Sequence, residues 1–167
     1  EVEDDFVFPL MKSSDVKHER NNVIRKKVII PQRRLGEDTS HLKTEAPKLW
    51  NYLTNHSDKL DGRKSRIYEN KPRFSIFGIG DYSFADYKVA ISGFYKEINF
   101  CFVGKLENKP VMLDDTCYLI PCQTKEEAAM ISGILNHPLS IEFLESIVFK
   151  DSKRPIKKKV LQQMNIR

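Results

Sequence analysis

A chain of 167 residues with 40% hydrophobic and 31% charged side chains carries enough apolar material for one domain with its own core, and too little length for two large ones. Its apolar runs, such as Val28-Ile29-Ile30 and Phe100-Cys101-Phe102-Val103, fall far short of the roughly 20 residues a membrane-spanning helix needs. The acidic start (Glu1, Glu3, Asp4, Asp5) lacks the basic region of a secretory signal, and with Glu1 in place of an initiator Met the chain reads as a piece of a longer protein.

In chain order, residues 1–16 read as an acidic and then extended segment broken by Pro9. Residues 23–31 read as a strand, β-branched at Val23, Ile24, Val28, Ile29 and Ile30 and stopped by Pro31. A polar loop over 32–44 precedes a helix over 46–61. Pro47 suits its first turn, Leu49, Trp50, Leu53 and Leu60 fall near one face with Tyr52 and His56 at the flanks, and Asp61-Gly62 marks the stop. Ile67-Tyr68 and Phe74–Phe77 read as short extended pieces. Residues 87–91 and 98–103 read as paired strands, and 117–120 as another. Thr124 followed by Glu127 has capping-box spacing and opens a helix striped by Ala128, Ile131, Ile134 and Leu135. A second helix runs from Leu139 to Val148, and Pro155 begins a basic helical tail. Strands and helices are interleaved without regular alternation, which predicts an α+β fold: an irregular mixed sheet with several packed helices.

The net charge of +5 is moderate, but its placement is informative. Residues 17–34, 59–73 and 150–167 hold seven, six and seven basic side chains, twenty of the 28 present. Brought together they would form a surface suited to a phosphate backbone; kept apart they are three solvated faces.

Most motifs with chemical potential have an ordinary structural reading. Phe77-Gly78-Ile79-Gly80 lacks the third glycine of a dinucleotide fingerprint and the Gly-Lys-Ser/Thr ending of a P-loop, so it reads as a tight turn requiring positive φ. Asp114-Asp115 reads as a turn in which one carboxylate caps backbone amides. The acid-x-Lys pattern of many nucleases occurs five times, including Asp86-Tyr-Lys88 and Asp151-Ser-Lys153, and is cheap in so charged a chain. Cys101, Cys117 and Cys122 have no zinc spacing and read as buried thiols in a reducing cytoplasm. The Asp/Asn-Pro-Pro-Tyr/Phe loop of adenine amino-methyltransferases is absent, since none of the eight prolines is adjacent to another.

An ordered set of blocks resembles the C-terminal target-recognition region, of the TaqI-like specificity kind, of restriction–modification adenine methyltransferases and restriction enzymes. The blocks are Phe8-Pro-Leu-Met-Lys-Ser-Ser-Asp-Val16, Lys27-Val-Ile-Ile-Pro-Gln-Arg-Arg34, Ala46-Pro-Lys-Leu-Trp-Asn-Tyr-Leu53 and Leu60-Asp-Gly-Arg-Lys-Ser65. They continue with Phe74-Ser-Ile-Phe-Gly-Ile-Gly-Asp-Tyr-Ser-Phe84, Leu113-Asp-Asp-Thr-Cys-Tyr118, Ile134-Leu-Asn136 and Asp151-Ser-Lys-Arg-Pro155. The resemblance implies that residues 1–22 lead out of a missing catalytic domain and that 23–167 form a DNA target-recognition domain without catalysis of its own. It implies double-stranded DNA and that catalytic domain as partners, S-adenosylmethionine bound by the catalytic domain, no membrane, and a bacterial cytoplasmic setting. It does not fix which residues touch DNA here.

Chemistry supplies those candidates. Phosphate contacts call for Lys, Arg, hydroxyls and backbone amides, and base edges for Arg, Lys, Asn or Gln. The groups selected are Arg63, Lys64 and Ser65 past a helix end; Ser75, Tyr82, Ser83 and Lys88 around the glycine turn; Lys153 and Arg154 before Pro155; and Arg33 and Arg34 after Pro31. For Arg63 and Lys64 the alternative is attraction to the last helix carbonyls, and for Lys157, Lys158 and Lys159 a solvated helix face is preferred. Two competing functions stay open: a metal-dependent nuclease using Asp86 and Lys88 or Asp151 and Lys153, and a non-enzymatic protein-interaction domain.

Overall fold

The chain folds around two small three-stranded sheets, seen in a computed structural model that describes residues 1–19 and 24–164. Val7–Met11 forms β1, Ser13–Lys17 forms α1 and Lys26–Ile29 forms β2. Leu42–Glu45, Pro47–Asn55 and Ser57–Asp61 form α2, α3 and α4. After a long connection come β3 (Tyr87–Ser92), β4 (Cys101–Val103), β5 (Met112–Leu113) and β6 (Cys117–Cys122). Lys125–Leu135, Pro138–Ile147 and Lys158–Leu161 are α5, α6 and α7.

The first sheet has the order β2-β1-β5, with β2 antiparallel and β5 parallel to β1. Pro9 sits inside the central strand, opposite Lys27. The Ile30 N–H donates to the Phe6 carbonyl at 2.9 Å, so hydrogen-bonded positions on β1 fall at even residues and the imide of Pro9 faces away from β2. On that side β5 pairs only from Leu10 onward, and Lys109 Nζ reaches the Val7 carbonyl at 3.0 Å in place of a strand neighbour.

The second sheet is antiparallel, in the order β4-β3-β6. Its alternation explains the core. Val89, Ile91, Phe100 and Cys122 face α5 and α6, where they meet Ala128, Leu135 and Leu144. Ala90, Cys101 and Val103 face the other way, onto Met11, Val16 and Val111. A third cluster holds Leu42, Ala46, Leu49, Leu53 and Phe74. Thr124 caps α5 as its spacing predicts, its Oγ1 accepting from the Glu127 N–H at 3.1 Å, while the Glu127 carboxylate accepts from the Gln123 N–H at 2.6 Å. Asn136, ending that helix, exchanges two hydrogen bonds with the backbone of Phe100, at 2.9 and 2.7 Å.

The α+β expectation holds, but the strands form two sheets rather than one irregular sheet. The predicted helix over 46–61 divides at His56, which lies between α3 and α4 with its Nδ1 2.8 Å from the Tyr52 carbonyl. Residues 66–68 form a 3-10 turn and 74–77 an irregular run, where extended pieces were expected. Among the described residues the basic tail holds a four-residue helix, Lys158–Leu161.

The N-terminal segment packs on the remainder of the chain. Met11 and Val16 are buried beneath β3, and the Glu3 carboxylate caps α3 by accepting from the Lys48 and Leu49 N–H groups at 2.9 and 2.8 Å. The N-terminal segment is therefore woven into the same fold as the rest. The boundary expected at residue 22, with Arg20 and Val23, lies outside the described residues, as does Arg167. Among the described residues no helix is long and apolar enough to cross a membrane.

Candidate nucleic-acid interface

The connection between α4 and β3 and the loop after β2 fold against each other, and this joins two of the three basic segments. Gln32, buried, accepts the Ile76 N–H on Oε1 at 2.7 Å and donates from Nε2 to the Glu37 carbonyl at 3.1 Å. Thr39, also buried, donates to the Arg73 carbonyl at 2.6 Å. Neither residue is charged, and neither is among the candidates that charge and hydrogen-bonding chemistry select. Gly36 has a φ of +93°, and a Cβ built there would lie 3.9 Å from Lys71 Nζ, so the two loops touch through the lysine side chain.

Around this seam lies a cleft of about 570 Å³ lined by Arg63, Lys64, Ser65, Lys71 and Arg73, with Asp61 and Glu69 as its acids. Arg73 is paired with Asp61 at 2.8 Å. Arg63 is a brace: it donates to the Leu60 and Ser75 carbonyls, both at 2.6 Å, and its guanidinium lies 3.8 Å from the centre of the Tyr68 ring. The helix-end alternative raised for Arg63 is thus the contact seen. Lys64 is exposed, and Ser65 caps the 3-10 turn Arg66–Tyr68 by accepting from the Ile67 N–H at 3.4 Å.

Arg33 and Arg34 enter the same region. Both of their N–H groups donate to the Glu37 carboxylate, at 2.6 and 3.0 Å, which fixes the turn. The Arg33 guanidinium lies 4.3 Å from the centre of the Phe84 ring, and the Arg34 guanidinium pairs with Asp81. Asp81–Phe84 is a 3-10 turn, so the glycine turn before it leads into no helix. Gly78 has the expected positive φ, +77°. Phe74, buried against Trp50 at 5.3 Å between ring centres, also has a positive φ, +66°, a strained backbone for so bulky a side chain.

Three candidates turn inward, which removes them from any surface. Ser75 is buried and donates to the Pro72 carbonyl at 2.7 Å; Ser83 is buried and accepts from the Gly80 N–H at 3.4 Å. Lys88 is 1% exposed, facing the first sheet from β3, and its ammonium donates to the Ala85 and Val111 carbonyls at 2.6 and 2.9 Å. Burial lowers its pKa from 10.5 to about 8, against the opposing pull of Asp86. Tyr82 stays on the surface, 46% exposed.

The third basic segment is split. Arg154 lies 4.9 Å from the centre of the Phe94 ring, and Asp151 pairs with Lys96 at 3.9 Å. Arg154 therefore lies against the residues that follow β3, and its neighbour Lys153 is exposed. Lys158 is exposed, as read from the sequence, and also lines a groove of about 830 Å³ between the two sheets, together with Phe77, Tyr82, Leu119 and Asp115.

Asp114 caps a turn as expected, accepting from the Thr116 N–H at 3.1 Å and the Ser13 N–H at 3.2 Å. No disulfide forms among the described residues. Cys101 and Cys122 are buried, and burial, reinforced by Asp114, raises the Cys117 pKa and keeps its thiol protonated. Among the described residues no three His, Cys, Asp or Glu side chains gather as a metal site requires.

Compared with known proteins, the chain is 42% identical over 166 residues to the type II methyltransferase M.NspV of Nostoc sp.. The alignment takes in 99% of this chain and 35% of that relative, so the chain spans about a third of its length. No protein-family model matches the chain. The similarity supports the methyltransferase resemblance at this coarser level, as a portion related to a type II methyltransferase.

Proposed function

We propose that this chain is the DNA-reading portion of a restriction–modification methyltransferase, binding duplex DNA without carrying the chemistry. One observation carries the reading: in a chain similar end to end to one third of a type II methyltransferase, Lys64, Lys71 and Arg73 line one cleft, while Arg33 and Arg34 lie against Phe84 and Asp81 just past the glycine turn. Cations supply most duplex affinity by displacing counterions, while a shaped turn beside them can meet base edges. The absent Pro-Pro-Tyr/Phe loop assigns methyl transfer to other parts of a longer chain. S-adenosylmethionine is assigned there too: the glycine turn here opens onto the 3-10 turn Asp81–Phe84 and offers a nucleotide no helix N-terminus. The setting proposed is the bacterial cytoplasm.

The placement of Lys88 works against the nuclease alternative, because its ammonium is spent on two backbone carbonyls while Asp86 pairs with Lys105 at 3.5 Å.

The test is fluorescence anisotropy on duplex DNA over a salt series. Binding should weaken steeply with salt, and replacing Arg33, Lys64 and Lys71 by Ala should lower the slope of log K against log salt by about one for each cation that no longer meets a phosphate. Absence of binding at low salt, or binding indifferent to salt, rejects the reading.

The protein-interaction reading is favoured by a separate surface. Met130 and Ile134 on α5, Leu139 and Phe143 on α6, and Phe149 beyond it are exposed on the outer helical layer. We assign this face to the catalytic portion of the longer chain, given that two thirds of the relative lies outside this similarity. A separately produced catalytic portion should shift this chain in size-exclusion chromatography, and Leu139→Asp with Phe143→Asp should abolish the shift. An unchanged shift in the variant rejects this seat.

A further inference from the structure

The segment Ile76–Gly80 is held at both ends and projects between them. At one end the Ile76 N–H is fixed to buried Gln32, and the Ser75 carbonyl is gripped by Arg63. At the other, the Ser83 N–H donates to the Gly80 carbonyl at 2.8 Å, and Asp81 is tied to Arg34. Phe77, Gly78 and Ile79 make no hydrogen bond to another described residue. Gly78 has nothing within 4 Å of where a Cβ would stand, so the tip rises clear of the surface. Phe77 on that tip is 52% exposed.

An exposed aromatic ring on a fixed base is available to stack on or insert into a partner without rearrangement of the fold. The surroundings define the chemistry of the cover. Arg33 and Arg34 lie against Phe84 and Asp81 just past the turn, and Lys158 lines the same groove as Phe77, so cations are available to an anionic backbone while the turn itself presents an aromatic ring. Asp115 is the exposed acid on this rim; it disfavours phosphate there, and a carboxylate is a natural acceptor for a cytosine amino group.

We propose that Phe77 is a base-contacting wedge: its ring presses against a base step of duplex DNA and partly unstacks it, with Tyr82 as a second aromatic support and the flanking cations on the phosphates. This rests on the DNA-reading function proposed above and adds the residue that makes binding sequence-selective. An apolar wedge favours steps that unstack easily, pyrimidine–purine steps first, so the selectivity is written in deformability as well as hydrogen bonds.

The test uses the 167-residue chain and a randomised duplex library. Wild type should enrich a sequence, and 2-aminopurine placed along that sequence should brighten at least twofold at one step on binding. Phe77→Ala should lose that brightening and the enrichment at the flanking positions, while binding random-sequence duplex at low salt within about threefold of wild type. Phe77→Trp should restore both. The ring is exposed, so Phe77→Ala should melt at the wild-type temperature, which separates a reading role from a folding one. Phe77→Ala selecting the same sequence with the same brightening overturns the proposal, as does wild-type binding with no brightening at any position. Failure of wild type to bind any duplex overturns the parent reading instead, and the wedge with it.

Discussion

Lys88 and Lys64 show how differently two regions of this molecule treat the same side chain. Lys88 points from β3 into the space between the sheets, where two carbonyls hold its ammonium and burial brings its pKa down to about 8. Lys64 stands exposed in a cleft shared with three other cations. The region around β3 is closed by apolar packing on both faces, with Val89 and Ile91 on one side and Ala90 and Val103 on the other. The loop region has little such packing and is tied by polar braces, namely Gln32, Thr39 and Arg63. The charge of Lys88 serves the fold; that of Lys64 is available to a ligand.

Substitutions should separate the two. Leu144→Ala empties a fully buried site between α6 and the second sheet and should cost about 2–5 kcal/mol in urea unfolding. A loss under about 1 kcal/mol would mean that face is not closed. Lys88 gives a pH signature. Its folded pKa lies below the unfolded value of 10.5, so between about pH 8 and 10.5 the unfolded chain binds more protons and stability rises with pH. Relative to Lys88→Met, wild type should gain up to about 3 kcal/mol over that window; a flat difference would place the ammonium in water. Thr124→Ala removes the α5 cap and should cost about 1 kcal/mol, read from the same unfolding curves. Arg34→Ala should leave the melting temperature unchanged, because the pair with Asp81 is exposed on both sides. A clear drop would move Arg34 from the ligand-facing set to the structural one.

The β3 region is the more legible in sequence because periodicity governs it. Alternation in 87–91 marks both faces of β3, and Thr124 with Glu127 marks the start of α5. The loop region obeys no period. Arg63 and Lys64 are neighbours of one charge class, yet one braces two carbonyls and the other is exposed, a difference set by Ser75 twelve residues on. Lys88 reads as a surface cation because the alternation of β3 predicts an inward side chain there only if both faces of the sheet are covered, and the covering element, α1, begins about seventy-five residues earlier. Pro9 argues against a strand; the register shows how one is accommodated, with its imide turned to the side where β5 has not yet begun.

That central strand also bears on how the chain reaches its fold. β1 joins β5 across about a hundred residues, and Lys109 ties back to Asp4 and Val7 over a similar span. Such contacts form only after nearly the whole sequence is available, so the first sheet should assemble late and slowly during synthesis, while the α5–α6 hairpin can form locally. A clone trimmed to begin at residue 23 would leave β2 and β5 without the strand between them, and its failure to fold would say nothing about whether the remaining residues read DNA.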